Sequence, residues 1–111
     1  MIFNQDNITL KIDRIWQLKQ QNVSLPCCLK EHAISFRFVS DAVMIGKNNQ
    51  IFQMRDHMIS YVPINYAYTR TAGNDELIVI HFQTDDYDGQ GIESFVVTEP
   101  EKFCVLFKKI L

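Results

Sequence analysis

The chain has 111 residues, a formal net charge of −2 and an apolar fraction of 47%, with eight Phe, four Tyr and one Trp. One domain accounts for that length, and the composition suits a packed core rather than disorder. The 11 Lys and Arg residues are scattered, only Lys108 and Lys109 being adjacent, which argues against a nucleic-acid-binding surface on this segment.

Met1 to Asp6 has neither a basic start nor a following apolar stretch, so no secretory signal is read there. The longest clean apolar run, Leu77 to Ile80, is far too short to span a bilayer, and no membrane partner is expected. Cys27, Cys28 and Cys104 are too few, and odd in number, for a disulfide framework; they fit a reducing, cytoplasmic setting. Asn7-Ile8-Thr9 and Asn22-Val23-Ser24 match the glycosylation pattern and are read as chance matches.

Ile8, Leu10 and Ile12 alternate with Thr9, Lys11 and Asp13, which predicts a strand with one buried face. The alternation slips near Arg14 and resumes at Trp16 and Leu18, so a bulge or bend is expected there. Lys19 to Ser24 is polar apart from Val23 and reads as a loop. In the next run Ile34, Phe36 and Phe38 face one way and Ser35 and Arg37 the other. Gly46 to Gln50, between Val43–Ile45 and Ile51–Met54, has the Gly and Asn of a hairpin turn. Met58 to Val62 forms a strand stopped by Pro63, which has no N–H for a ladder. Tyr66 to Arg70 and Leu77 to Phe82 read as two strands around a second hairpin loop, Thr71 to Asp75, where Glu76 beside Asp75 is taken as turn chemistry. An acidic loop, Asp85 to Gly91, precedes a last strand at Ile92 to Val97.

The period then changes. Thr98 and Glu101 have the spacing of a capping box, with Pro100 in the first turn. Phe103, Phe107 and Ile110 fall on one helical face with Leu106 beside them, and Cys104 is expected to pack against a neighbour. The helix runs to Leu111 with no C-cap, so the chain is expected to be one piece of a longer protein. Seven or so short strands with one terminal helix predict an all-β sandwich, jelly roll or small β-barrel.

Candidate chemistry is sparse. His32, His57 and His81 lie more than 20 residues apart, without the short spacings that metal-binding barrels use, and no metal or other cofactor is expected. Asp85, Asp86 and Asp88 lack the full spacing of a calcium loop. There is no nucleophile elbow, no Cys with an evident base and no phosphate-binding loop, so no catalytic residue is assigned and a non-enzymatic role is expected. The distinctive feature is the interleaving of aromatic and polar residues around Pro63 and His81. Tyr61, Tyr68 and His81 offer ring faces with hydrogen-bonding groups, as a small polar ligand requires. Trp16 and His32 complete the set of ligand-pocket candidates.

Three blocks in order, His32 to Arg37, Tyr61 to Arg70 and Glu76 to Phe82, resemble the amino-terminal domain of AraC-type bacterial transcription regulators. The resemblance covers residues 30 to 111 and implies a cupin-like jelly roll or barrel, with a C-terminal helix, that senses a sugar or other small molecule. It implies that residues 1–97 are the sensor domain. Residues 98–111 would begin a linker or dimerisation helix, truncated before a DNA-binding domain. The implied partners are a small-molecule effector, with carbohydrates among the candidates, and a second copy of the chain; DNA would be bound only by a domain beyond Leu111. Two departures stand out. His57-Met58 replaces a Gly-Asp found in many relatives, so the turn before Met58 is expected to differ, and the paired histidines and glutamate of metal-binding cupins are absent. The rival readings are a small cupin enzyme, such as a metal-dependent isomerase or dioxygenase, and a purely structural dimerisation domain.

Overall fold

The structure, a computed structural model, describes residues 1–110, with Ile110 described by its backbone. Seven strands run in chain order: β1 Lys11–Cys28, β2 His32–Ser40, β3 Val43–Ile45, β4 Ile51–Gln53, β5 Met58–Val62, β6 Ala67–Gln83 and β7 Glu93–Val96. They are followed by α1, Pro100–Ile110. Every pairing is antiparallel, in the order β4-β3-β6-β2-β5-β7 with β1 also on β6, and the sheet curls into a partly closed half-barrel. This is the expected all-β, cupin-like fold with a C-terminal helix.

Two of the strands are far longer than expected, because two segments read as loops are each other's partners. Lys19 pairs with Glu76, and the ladder continues to Ser24 opposite Thr71, so neither Lys19–Ser24 nor Thr71–Asp75 is a loop. Apart from the buried Ala72 and Asp75 these residues are exposed or half-buried, and a backbone ladder does not need apolar side chains. β1 follows β6 throughout, while β3 pairs with the first half of β6 and β2 with the second. At the handover the Asp41 carboxylate accepts both the Gly73 and Asn74 N–H groups at 2.9 Å, which satisfies the backbone where neither strand reaches.

The register of β1 shifts between Ile12 and Arg14, the irregularity expected there. Ile8 packs inward, but Leu10 and Ile12 are exposed, so the anticipated buried face stops at Ile8. The turn from Gly46 to Gln50 forms with Asn48 and Asn49 at positive φ. Gly46 serves close approach, since a Cβ there would lie 1.9 Å from Tyr66 Oη. β5 spans the residues expected and all five are buried.

The sheet has two faces. On the outer face Phe36 and Ile59 are covered by Phe103 and Phe107 of α1, and Tyr61 and Phe82 by Ile2 and Phe3. Phe107 stacks on Phe36 with centroids 5.2 Å apart. Cys104 packs there as expected, whereas Leu106 is exposed, and the Ile110 side chain and Leu111 lie outside the described residues. The Phe103 N–H donates to the Glu99 carbonyl at 3.3 Å, so Glu99, not Thr98, is the N-cap, and the expected capping box of Thr98 and Glu101 is out of register with the helix start. Among the described residues no helix is long and apolar enough to cross a membrane. The inner, concave face holds the candidate site.

Candidate functional site

β2 and β5 put Ser35, Arg37, Ser60 and Val62 on the concave face because these alternate with the outward Phe36, Ile59 and Tyr61. β6 adds Tyr68, Arg70, Leu77, Val79 and His81, β1 adds Trp16 and Leu18, and β3 adds Met44, around a cavity of about 160 Å³.

Two of its lining residues, Arg37 and Arg70, belong to a buried ionic triad with Asp75. Asp75 is fully buried; its Oδ2 accepts from Arg70 Nη1 at 2.8 Å, and its Oδ1 lies 3.2 Å from Arg37 Nε without hydrogen-bond alignment. Five residues of extended strand would separate Arg70 and Asp75 by about 16 Å. Their contact at 2.8 Å therefore requires β6 to bend between them, where Asp41 holds the Gly73 and Asn74 N–H groups. Arg37 Nη1 donates to Ser35 Oγ at 2.9 Å and Ser60 Oγ at 2.7 Å, while among the described residues the partner of Nη2 is the Met44 sulfur at 3.7 Å. Arg70 Nη2 donates to Gln20 Oε1. Two guanidiniums against one carboxylate leave this buried cluster with an excess positive charge. Burial lowers the pKa of Arg37, an effect that Asp75 partly offsets.

A second cluster borders the cavity. Glu31 Oε1 accepts from Arg14 Nη2 at 2.6 Å and lies 3.6 Å from His81 Nδ1. The His81 ring lies 4.6 Å from Trp16, which also carries the Arg14 guanidinium 5.1 Å above it. Burial lowers the His81 pKa, with Glu31 opposing. Tyr68 is held protonated by burial. Together with Cys27 it lines both the inner cavity and an open cleft of about 550 Å³ beside Gly46 and Ile45, so these two side chains stand between solvent and the interior.

Of the five residues singled out in the sequence, Trp16, Tyr68 and His81 therefore meet at the inner cavity. His32 and Tyr61 lie on the opposite face of the sheet. There His32 Nδ1 is 2.8 Å from Tyr61 Oη, and its ring lies near-parallel to those of Tyr61 and Phe82, with centroids 5.8 and 5.4 Å away. Burial pushes the Tyr61 pKa up to about 12, and Gly89 packs so closely that a Cβ would lie 2.5 Å from the ring. His32 also borders an open depression with Lys30, Tyr87 and Asp88.

The triad itself was not picked out in the sequence. Asp75, taken with Glu76 as turn chemistry, is instead the buried anion within β6. The available signal was the alternation of Ser35 and Arg37 with three apolar neighbours: it marks two faces, and in a curled sheet the polar one can be the interior. Among the described residues no group of three or more His, Cys, Asp or Glu is placed to hold a metal ion.

No protein-family model and no curated protein matches the chain. Among solved structures, ToxT from Vibrio cholerae is similar, with a TM-score of 0.61 at 10% identity over 91% of this chain and 47% of that one. The chain thus spans about half the length of ToxT, and the likeness is one of fold.

Proposed function

We propose that this chain is the regulatory domain of an AraC-type transcription regulator and that its inner cavity takes a small-molecule effector, with Trp16, Tyr68 and His81 among the contacts. The observation that carries the reading is the partly enclosed cavity on the concave face, lined by Arg37 and Arg70 of a buried ionic triad that a purely structural core would not need. The fold of ToxT, an AraC-family transcription activator, supports the same reading.

The sheet is one layer thick between effector and output. Arg37 faces the cavity while its neighbour Phe36 stacks on Phe107 of α1. Tyr61 and Phe82, flanked by cavity residues in β5 and β6, seat the amino-terminal segment, and His32 braces them. An effector shifts the arrangement of α1 only if it binds one arrangement better than another. In this reading residues 98–111 open a linker or dimerisation helix whose exposed Val105 and Leu106 meet a second copy. DNA contact belongs to a separate domain.

The test is a thermal-shift screen against sugars, sugar phosphates, amino acids and short organic acids, with Trp16 fluorescence recorded in parallel. A compound that fills the cavity raises the melting temperature with its concentration and changes the emission of the single Trp. A chain that dimerises by light scattering, and whose melting and Trp16 emission respond to no compound, would be a dimerisation domain instead.

A further inference from the structure

We infer that the outer face carries a second small-molecule site, the open depression beside His32, and that it takes a free α-amino acid. The ammonium lies at Asp85 and Asp88, the carboxylate at Lys30, and the side chain over Ile64 and the Tyr87 ring. This site is separate from the inner cavity, which lies on the other side of the sheet. Its volume, about 560 Å³, falls within the roughly 300–1,000 Å³ of small-ligand sites.

Three observations point to this class. First, both signs of charge line the depression and neither is used. The acidic loop is anchored by Asp86, whose Oδ2 accepts the Thr9 N–H at 2.7 Å, and by Tyr87, which donates to Glu93. Asp85 and Asp88 take no part in that anchoring. Among the described residues Lys30, Asp85 and Asp88 make no ion pair, with each other or with any third group. An occupant carrying both charges bridges what the side chains leave apart.

Second, a buried imidazole has a nitrogen to spare. His32 is 6% exposed and borders the depression. Its Nδ1 is bonded to Tyr61 Oη at 2.8 Å, whereas Nε2 has no hydrogen-bond partner among the described residues and is not sealed from solvent. Burial lowers the pKa of this ring, with Asp88 opposing, so the imidazole is neutral. In the tautomer whose Nδ1–H donates to Tyr61, Nε2 is an acceptor near the Asp88 charge, which suits an ammonium.

Third, the neutral hydrogen-bonding groups are already spent. Gln83 Nε2 donates to Asp13 at 2.9 Å, Thr84 Oγ1 donates to the Thr9 carbonyl at 2.8 Å, and the Tyr87 hydroxyl is held by Glu93. A polyol would find few free partners, while the unspent groups are charged or buried. Ile64, 37% exposed, and the half-buried Tyr87 ring give an apolar side chain its contact.

The experiment titrates the 111-residue chain with L-leucine and L-phenylalanine, following the ring proton–carbon NMR signals of His32 and Tyr87 with Trp16 emission alongside. Both ring signals are expected to move and saturate while Trp16 emission stays constant. Leucinamide, which lacks the carboxylate, and N-acetyl-leucine, which lacks the ammonium, should each bind about fivefold more weakly, the upper end for exposed ion pairs. N-acetyl-leucinamide should not saturate. Lys30→Gln and Asp88→Asn, both at exposed positions, should each weaken leucine by a similar factor without lowering the melting temperature of the free chain. Ring signals that move with neither amino acid, or leucinamide binding as tightly as leucine, would overturn the inference. So would a response at Trp16 with none at Tyr87, which would place the amino acid in the inner cavity instead.

Discussion

The two faces of β2 are built from neighbouring residues and obey opposite rules. Outward, Phe36 is fully buried among Phe38, Phe103 and Phe107, an aromatic layer touched by charge only at its edge, where the Lys108 ammonium lies 5.3 Å from the Phe38 ring centre. Inward, one residue along, Arg37 is as deeply buried but is surrounded by Asp75, Ser35 and Ser60. Burial on the outer face stabilises the fold directly, as apolar area leaves water. On the inner face the desolvation of three charges offsets most of what their pairing returns, and apolar residues of the same volume would serve stability as well or better. A layer that is inefficient as a core and borders a cavity is where function is to be sought.

The largest expected effect separates the faces by their chemistry. Asp75→Ala strands two buried guanidiniums and should cost about 3–5 kcal/mol in urea denaturation. Replacing the whole triad, as Arg37→Met with Arg70→Met and Asp75→Leu, should recover most of that loss while abolishing any effector response. Phe36→Ala on the outer face should cost a comparable 3–5 kcal/mol or so. No second substitution on the outer face can recover that loss, because it comes from missing volume. If the triple variant proves as unstable as Asp75→Ala, the triad is structural and the contrast between the faces fails.

Phe107→Ala comes next. Its ring is half-buried, so the expected loss is about 1–2 kcal/mol. The informative readout is the helix. Amide exchange of α1 should accelerate while the β2–β6 ladder stays protected, since Phe107 packs α1 onto the sheet together with Phe103 and Cys104.

The same contrast governs what could be read in advance. Elements whose burial is one-sided or complete were legible: β5 emerged with both its ends, and so did the turn at Gly46–Gln50 and the aromatic face of α1, because periodicity and turn chemistry are local signals. The β1–β6 ribbon was not legible, because Lys19–Ser24 and Thr71–Asp75 pair across some 50 residues and neither carries an apolar alternation. The triad was hidden for the same reason. Arg37, Arg70 and Asp75 are assembled by the bend in β6, whose support, the Asp41 carboxylate, lies 32 residues from Gly73. Trp16, Tyr68 and His81 could be picked out as amphipathic rings, but nothing local distinguishes their face from that of His32 and Tyr61.

Acidification is a gentler probe that touches both faces. Burial lowers the pKa of His32 outside and of His81 inside, so the folded chain takes up these protons less readily than the unfolded one. The unfolded state then binds more protons just below its ordinary His pKa of 6.5, and stability falls as pH drops into that window. It is fully present above it. Melting temperatures taken between about pH 7.5 and about pH 5 should show the decline before the carboxylates titrate. His81→Gln should flatten part of it and His32→Gln the rest. A decline untouched by either substitution would mean that neither ring is held neutral by its face.

The smallest effect is expected where the two faces join. His57 sits at φ 62, the left-handed conformation that glycine adopts freely. Its N–H donates to the Arg37 carbonyl at 2.7 Å, and its own carbonyl accepts from Val97 at 3.0 Å, tying the charged strand to the segment that leads into α1. An L-residue pays about 1–2 kcal/mol for this conformation, whereas glycine has about 0.5–1 kcal/mol more unfolded-state entropy to lose. His57→Gly should therefore raise stability by roughly 0.5 kcal/mol. A measured loss instead would mean that the imidazole contributes more at this junction than the backbone strain costs.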